Sequence, residues 1–394
     1  MTKANSKILS AVFGYPNNHA TATLDHLRRN HKDVKVQFYY WINFPAARKN
    51  LKEKIPEGAI KLSLANPIYF FCCLFKIIRS EHVYFQSFST PRFRMAFLFW
   101  FTILFGHSKK ILLASEGMKK TPSLLTRLFI SHCLNSQKII HLGIGSNSGH
   151  DFYKAGANKW SFRKYCFCEE YPFNANTKNR RDHRGQQPLK ILSVGQLIPR
   201  KNFASLFEGL GILKKSCDFK LKLAGTGPLK DDLLDLAKSL RISESVELVG
   251  FCSHDVLHQL FLEADIFILN STYDGWGVVV GHALNFGLPI IVSSGVRSGK
   301  GYLVEDGKNG FICDTPIDLA KRLLSCQQEE FLLNEMSNNS RTLANLWNIK
   351  TTSNRLSNLL EDYETQYTDG PFSSTQIHLS SADSKIRNLY GNHS

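Results

Sequence analysis

The sequence lacks any run of about 18 apolar residues, the length a membrane-spanning helix requires. Its longest, Met95 to Phe105, has 11 and contains Thr102. It lacks a CxxC pair: the nine cysteines, an odd count, sit mostly inside apolar runs. They read as small buried thiols in a reducing compartment rather than as zinc or disulfide chemistry. No RNP-like, zinc-finger or helix-turn-helix pattern occurs, which disfavours nucleic acid as a partner. Neither an internal repeat nor a long low-complexity segment is present. The opening MTKANSKILSAVFGYP carries a strand-like patch and no signal-peptide hydrophobic region, so a cytoplasmic protein is expected.

Acidic residues are scarce in one half of the chain. Met1 to Pro188 holds 29 Lys and Arg against 10 Asp and Glu, a balance of +19. Leu189 to Ser394 holds 20 against 23, or −3, which together give the +16 of the whole. A basic half points to nucleic acid, an anionic lipid surface or an anionic substrate. Within it, NPIYFFCCLFKIIRS and PRFRMAFLFWFTILFGHSKK place Lys76, Arg79, Arg92, Arg94, Lys109 and Lys110 around aromatic segments. Such segments suit helices that dip into lipid headgroups, but taken one by one they fit better as buried helices whose basic ends face water. The charge favours an anionic membrane surface, with the protein peripheral on the inner face of the cytoplasmic membrane.

A chain of 394 residues, 43% hydrophobic and 21% charged, is globular and suits about two domains. Short apolar runs alternate with helical patterns. Strands are predicted at 7–13, 34–40, 82–86, 110–114, 138–142 and 164–168, then at 190–194, 220–224, 245–248, 266–269, 290–293 and 310–313. This βαβα alternation predicts two doubly wound parallel sheets facing a cleft. The first domain is placed at 1–173 and a polar linker, NANTKNRRDHRGQQP, at 174–188. The second domain follows at 189–340, then a helix at 341–367 and a flexible tail at 368–394.

Four glycine-containing stretches carry chemical signals. HLGIGSNSG, with Gly143, Gly145 and Gly149, imitates a dinucleotide fingerprint. Its spacing is GxGxxxG, however, and it ends its domain where further βα units are needed. AGTGPLKDDL makes a tight turn at Gly225 and Gly227 that lets backbone approach a flat ligand. VGQLIPRKN ends a strand at Gly195 and presents Arg200 and Lys201, a pair able to neutralise a diphosphate or simply to face solvent. YDGWGVVVGHALNFGLPIIVSS opens a helix after Asp274-Gly275-Trp276-Gly277. The free backbone amides at that start offer an anion site, and Asp274 can accept from sugar hydroxyls beside it. His282 lies two turns along the same face. The plainer alternative makes Asp274 an N-cap and His282 a packed core residue.

Taken in order, VGQLIPRKN, AGTGP, VELVGF, ADIFILNSTYDGWGVVVGHALNFGLPIIVS and GKNGFI resemble the donor domain of retaining glycosyltransferases of the glycosyl transferases group 1 family. The resemblance covers about Lys190 to Cys313; the first domain matches in organisation only. It implies the GT-B fold, a UDP or GDP sugar as donor, no metal or other cofactor, and retention of anomeric configuration. It further implies Arg200 and Lys201 on the diphosphate, the 276–278 amides on its distal phosphate and Asp274 on the transferred sugar. Gly250 and Phe251 would line the base, and Gly14, in FGYPNNH, would face the phosphates from the acceptor side. Two departures stand out. Asp274 and His282 replace the family's usual glutamate pair, and one imidazole acceptor does not reproduce a bidentate carboxylate on the ribose. Gln196 stands where many members carry arginine. Glu116 and His19, at carboxyl ends of first-domain strands, are candidates for orienting the acceptor, Glu116 the preferred one. The expected activity is hexosyl transfer to a glycan or lipid-linked acceptor in cell-envelope polysaccharide or lipopolysaccharide synthesis. The rival expectations are a non-catalytic sugar-nucleotide-binding or assembly protein, and an oxidoreductase built on GIGSNSG.

Overall fold

The computed structural model describes residues 7–14, 18–42, 55–86, 92–116, 136, 138–154, 162–168, 187–361, 369–371 and 373. The linker expected at 174–188, except Gln187 and Pro188, lies outside them. So does the tail expected at 368–394, except Asp369 to Pro371 and Ser373.

Strands buried on both faces read as continuous apolar runs, and parallel sheets are built from such strands. The first sheet contains β1 (Lys7–Phe13), β2 (Val34–Tyr40), β3 (Ile60–Lys61), β4 (His82–Gln86), β5 (Lys110–Ser115), β6 (Ile139–Ile144) and β7 (Phe162–Tyr165). Their order is β3-β2-β1-β4-β5-β6-β7, every pair parallel. Alternation along the strands separates two cores. Leu9, Ala11 and Phe13 of β1 face α1 (Asn18–Asn30), whereas Val12, Val83 and Phe85 face α2 (Pro67–Ile78) and α3 (Arg92–Phe105). A short helix, α4 (Ser148–Lys154), follows β6.

The second sheet contains β8 (Leu189–Val194), β9 (Phe219–Ala224), β10 (Val246–Gly250), β11 (Ile266–Leu269), β12 (Ile290–Val292) and β13 (Gly310–Ile312). Its order is β10-β9-β8-β11-β12-β13, also parallel throughout. The order reverses between β8 and β11, which opens the crevice where ligands of such sheets bind. Helices α5 (Phe203–Leu213) and α9 (Pro316–Gln328) pack on one face, with α6 (Lys230–Ser239) beside α5. On the other face lie α7 (His254–Glu263) and α8 (Val278–Asn285).

The single helix expected at 341–367 is two: α10 (Glu330–Leu346) and α11 (Ile349–Leu360). The expected boundary at 340 falls inside α10. Asn348, extended at φ −96 and ψ 167, restarts the helix by accepting from the Thr351 amide at 2.8 Å. Helix α11 then returns to the first domain. Ser353 meets His26 Nδ1 at 2.8 Å, Lys7 pairs with Glu361 at 3.0 Å, and Leu356 and Leu360 join Leu24 and Leu27 in one core. That core continues into the second domain through Leu269, Trp276 and Tyr302, so the two sheets share an apolar cluster. Two strands differ from expectation. β3 has two residues and no sequence signal, and β7 starts at Phe162 because Phe162 and Tyr165 fill the buried places opposite His141 and Ile144.

Candidate functional site

The site forms where the chain leaves β8 and β11, on either side of the switch point. After β8, Pro199–Lys201 makes one 3-10 turn, with proline at its start and Asn202 left-handed at its end. The turn is stapled to the neighbouring loop: the Thr272 amide donates to the Arg200 carbonyl at 2.9 Å. The Lys201 stem lies on Gly195, where an added Cβ would meet Lys201 Cε at 3.2 Å. The ammonium is thereby carried inward, and the Lys201 side chain is only 10% exposed. It donates to Asp274 Oδ2, the carboxylate that closes the loop after β11. Arg200 reaches the same oxygen at 3.4 Å and donates to the Tyr273 carbonyl at 2.6 Å; Ser271 Oγ adds a third contact at 3.3 Å. Two cations thus share one carboxylate in a partly desolvated crevice.

Helix α8 begins just beyond Asp274. Gly277 caps it in the left-handed region at φ 66, a conformation glycine adopts without a Cβ clash. First-turn amides of a helix have no acceptor within it, so Gly277 and Val278 add their donors and the helix dipole to the cations. Trp276 turns its side chain away: its indole N–H donates to the Phe167 carbonyl at 3.1 Å, and its ring stands edge-on to Tyr302 at 5.8 Å.

The first domain enters the site through Glu116, which directly follows β5. A Cβ on Gly275 would come within 2.0 Å of Glu116 Oε2, so the absence of a side chain there admits this carboxylate beside Asp274. Glu116 is held by Arg297, from the loop after β12. Arg297 donates to the Glu116 carbonyl at 2.9 Å, pairs with Asp151 at 3.1 Å and lies over the Tyr273 ring at 5.1 Å. Burial raises the Tyr273 phenol above its ordinary pKa, and the Arg297 charge opposes that rise. The Ser146 amide donates to the Arg297 carbonyl at 2.8 Å, and Tyr302 donates to the Gly143 carbonyl at 2.8 Å. The GIGSNSG turn is therefore the edge on which the second domain docks. It follows β6, away from the β1/β4 reversal where a dinucleotide would sit.

The remaining candidates are more scattered. Gly225 packs on Gly195, whose amide bonds to Ala224, so the loops after β8 and β9 stay in contact. Gly250 ends the edge strand β10, two strands from the switch point, and Phe251 follows it, exposed. Gly14 ends β1 at the first sheet's own reversal, and its carbonyl accepts from Ile42 at 3.0 Å. His19 lies in the first turn of α1. His282 is 6% exposed, edge-on to Phe261 at 6.1 Å. It also lines a cavity of about 20 Å³ with Cys166, Cys168, Trp276 and Trp347, far too small for a nucleotide. Sequence reasoning missed Arg297, Asp151 and Tyr302. Arg297 stands at the carboxyl end of a parallel strand, the one signal that could have marked it; Asp151 and Tyr302 have none. Arg297→Ala is expected to lower unfolding free energy by about 1–3 kcal/mol, by removing its bonds to the Glu116 carbonyl and to Asp151, while far-UV circular dichroism keeps both sheets. Urea unfolding that matches the parent would show that Arg297 does not hold the domains together.

The model of the family described as glycosyl transferases group 1 matches residues 175–343. A Methanocaldococcus jannaschii protein named uncharacterized glycosyltransferase MJ1607 is 32% identical over 140 residues, 35% of this chain and 35% of its own length. A Campylobacter jejuni N-acetylgalactosamine-N,N'-diacetylbacillosaminyl-diphospho-undecaprenol 4-alpha-N-acetylgalactosaminyltransferase is 30% identical over 156 residues, 39% of this chain and 41% of its own. The shared stretch is thus well under half of either relative. Among solved structures, Anabaena Alr3699/HepE in complex with UDP superposes with a TM-score of 0.69 over 90% of this chain and 99% of that one. Its identity is 15%, so the likeness speaks for the fold alone. The second domain thus matches the glycosyl transferases group 1 family, and the two doubly wound sheets take the GT-B arrangement.

Proposed function

We propose that the protein is a metal-independent retaining glycosyltransferase. It would move a sugar from a UDP or GDP sugar to a glycan or lipid-linked acceptor in cell-envelope polysaccharide or lipopolysaccharide synthesis. The observation that carries this reading is the convergence of Arg200 and Lys201 on one carboxylate at the switch point, beside the start of α8. A diphosphate presents the same kind of anionic oxygen as Asp274, with more charge. When it enters, Lys201 and Arg200 pass from the carboxylate to the phosphates, and the Gly277 and Val278 amides meet the distal one. Asp274 is then released to accept from the hydroxyls of the sugar. The bond from the anomeric carbon to the diphosphate breaks, and a bond to the acceptor oxygen forms. The acceptor's proton leaves with the nucleoside diphosphate. The developing negative charge lies between the two cations and the helix start, donors already in place before the reaction. Glu116, brought in by the first domain, orients the acceptor hydroxyl.

The envelope assignment draws on the Campylobacter jejuni relative, whose name specifies a diphospho-undecaprenol-linked acceptor. A second reading, a sugar-nucleotide-binding protein without transfer, is favoured by His282, an imidazole packed against Phe261 at the place of the family's ribose-binding glutamate.

Screening UDP and GDP sugars by thermal stabilisation identifies the donor, because a ligand bound only to the folded state raises stability by mass action. With that donor, Lys201→Ala is expected to lower kcat/KM by at least ~2 kcal/mol, about 30-fold. Near-normal turnover would remove the phosphate assignment, and donor binding without any transfer by the parent would establish the second reading. Asp274→Asn separates the two jobs of that carboxylate. Free nucleoside diphosphate should bind more tightly, by ~1 kcal/mol, once a competing charge about 4 Å away is gone, whereas transfer should fall. Weaker nucleotide binding in calorimetry would contradict the exchange.

A further inference from the structure

We propose that the outward faces of α2 and α3 form a docking surface for an anionic lipid bilayer. The proposal deepens the reading above, on which it rests for an acceptor held in a membrane. A helix covering a sheet ordinarily buries one apolar stripe and gives water a polar one. Helix α2 does not. It buries Phe70, Cys73, Leu74 and Ile77 against the sheet, and on its other side it exposes Ile68 at 79%, Phe71 at 63% and Phe75 at 50%. These three recur at helical spacing, so they form one ridge. Helix α3 lies beside α2 on the same face of the sheet and presents Phe97, Leu104 and Phe105. The apolar character of both segments is thus divided between the core and the outside.

The rim decides what covers the ridge. Neither helix contains an acidic residue. From Leu62 to Ser115 the single acid is Glu81, and it is paired with Lys109 at 2.9 Å. Exposed Lys76 and Arg79 stand at the end of α2, Arg94 lies at the start of α3, and His107 and Lys109 follow it. Arg79 lies over the Phe75 ring at 4.1 Å, an arginine that shields an aromatic while keeping its charge at the surface. A protein partner of mixed charge would be matched by both signs; a rim of one sign around an aromatic ridge matches anionic headgroups over acyl chains. At 12 residues α2 is about 18 Å long, too short to cross a bilayer. Among the described residues no helix is long and apolar enough to do so. Helix α2 would therefore lie in the interface plane. The ridge is on the sheet face opposite the core shared with the second domain, so a bilayer there leaves the crevice open.

The test uses the full chain and sedimentation with vesicles of phosphatidylcholine, with and without phosphatidylglycerol. The parent should pellet with phosphatidylglycerol vesicles and bind at least about tenfold less to pure phosphatidylcholine. The exposed double variant Phe71→Asp/Phe75→Asp should lose at least about tenfold in partitioning, with its melting temperature and its binding of nucleotide sugar unchanged. Parent protein left in the supernatant, or a double variant that pellets like the parent, overturns the proposal. So does a parent that self-associates through this face without vesicles and becomes monomeric in the variant. Docking lost while nucleotide-sugar binding persists is a failure of this inference alone. A chain that pellets with vesicles but binds no nucleotide sugar is a failure of the transferase reading alone.

Discussion

Lys201 and Arg200 leave one strand, Asp274 leaves the next, and the three charges meet over the line where the sheet reverses its order. The rest of the second domain serves that meeting. Burying an ammonium is costly unless a carboxylate faces it, so the Lys201 stem on Gly195 and the Asp274 carboxylate need each other in the unliganded protein. The same pairing holds both cations in the crevice, oriented and partly stripped of water. On the proposed reading, an incoming diphosphate would meet donors that are already arranged, the cost of organising them having been met during folding. Because the start of α8 adjoins Asp274, the positive end of a helix adds to the same spot.

The first domain completes the crevice through a small number of buried polar contacts. Arg297 ties Glu116 and Asp151 to the second domain, and Tyr302 reaches Gly143 across the junction. Behind them Trp276, Tyr302 and Trp347 form an aromatic cluster, and Lys164 lies over Tyr302 with its pKa lowered by burial. Trp276 therefore has two functions. Its backbone belongs to the helix start, and its side chain registers the position of the first domain through the Phe167 carbonyl.

Much of this was legible in the sequence, for a physical reason. Strands buried on both faces leave uninterrupted apolar runs; β1, β2, β4 and β11 stand where those runs place them. Arg200, Lys201 and Asp274 were legible only as polar residues just past parallel strands, letters that fit a solvent-facing pair and an N-cap as well; their meeting is a product of the fold. Contacts made only by the tertiary fold left no trace. Nothing near Asp151 distinguishes it from a helix-surface acid, and the glycines of GIGSNSG carry the same letters whether they admit a pyrophosphate or, as here, the side chains of Arg297 and Tyr302. The outer ridge of α2 failed for another reason. Apolar residues at helical spacing look alike against a core and against lipid, and only their exposure separates the two.

On the proposed function, the carboxylate of Asp274 occupies in the free protein the place that a diphosphate takes in the complex. A crystal structure with the nucleoside diphosphate of the identified donor tests it most directly. Phosphate oxygens are expected within hydrogen-bond distance of Lys201 Nζ, the Arg200 guanidinium and the Gly277 and Val278 amides, with the Lys201–Asp274 pair broken. A nucleotide bound elsewhere while that pair stays intact would contradict it.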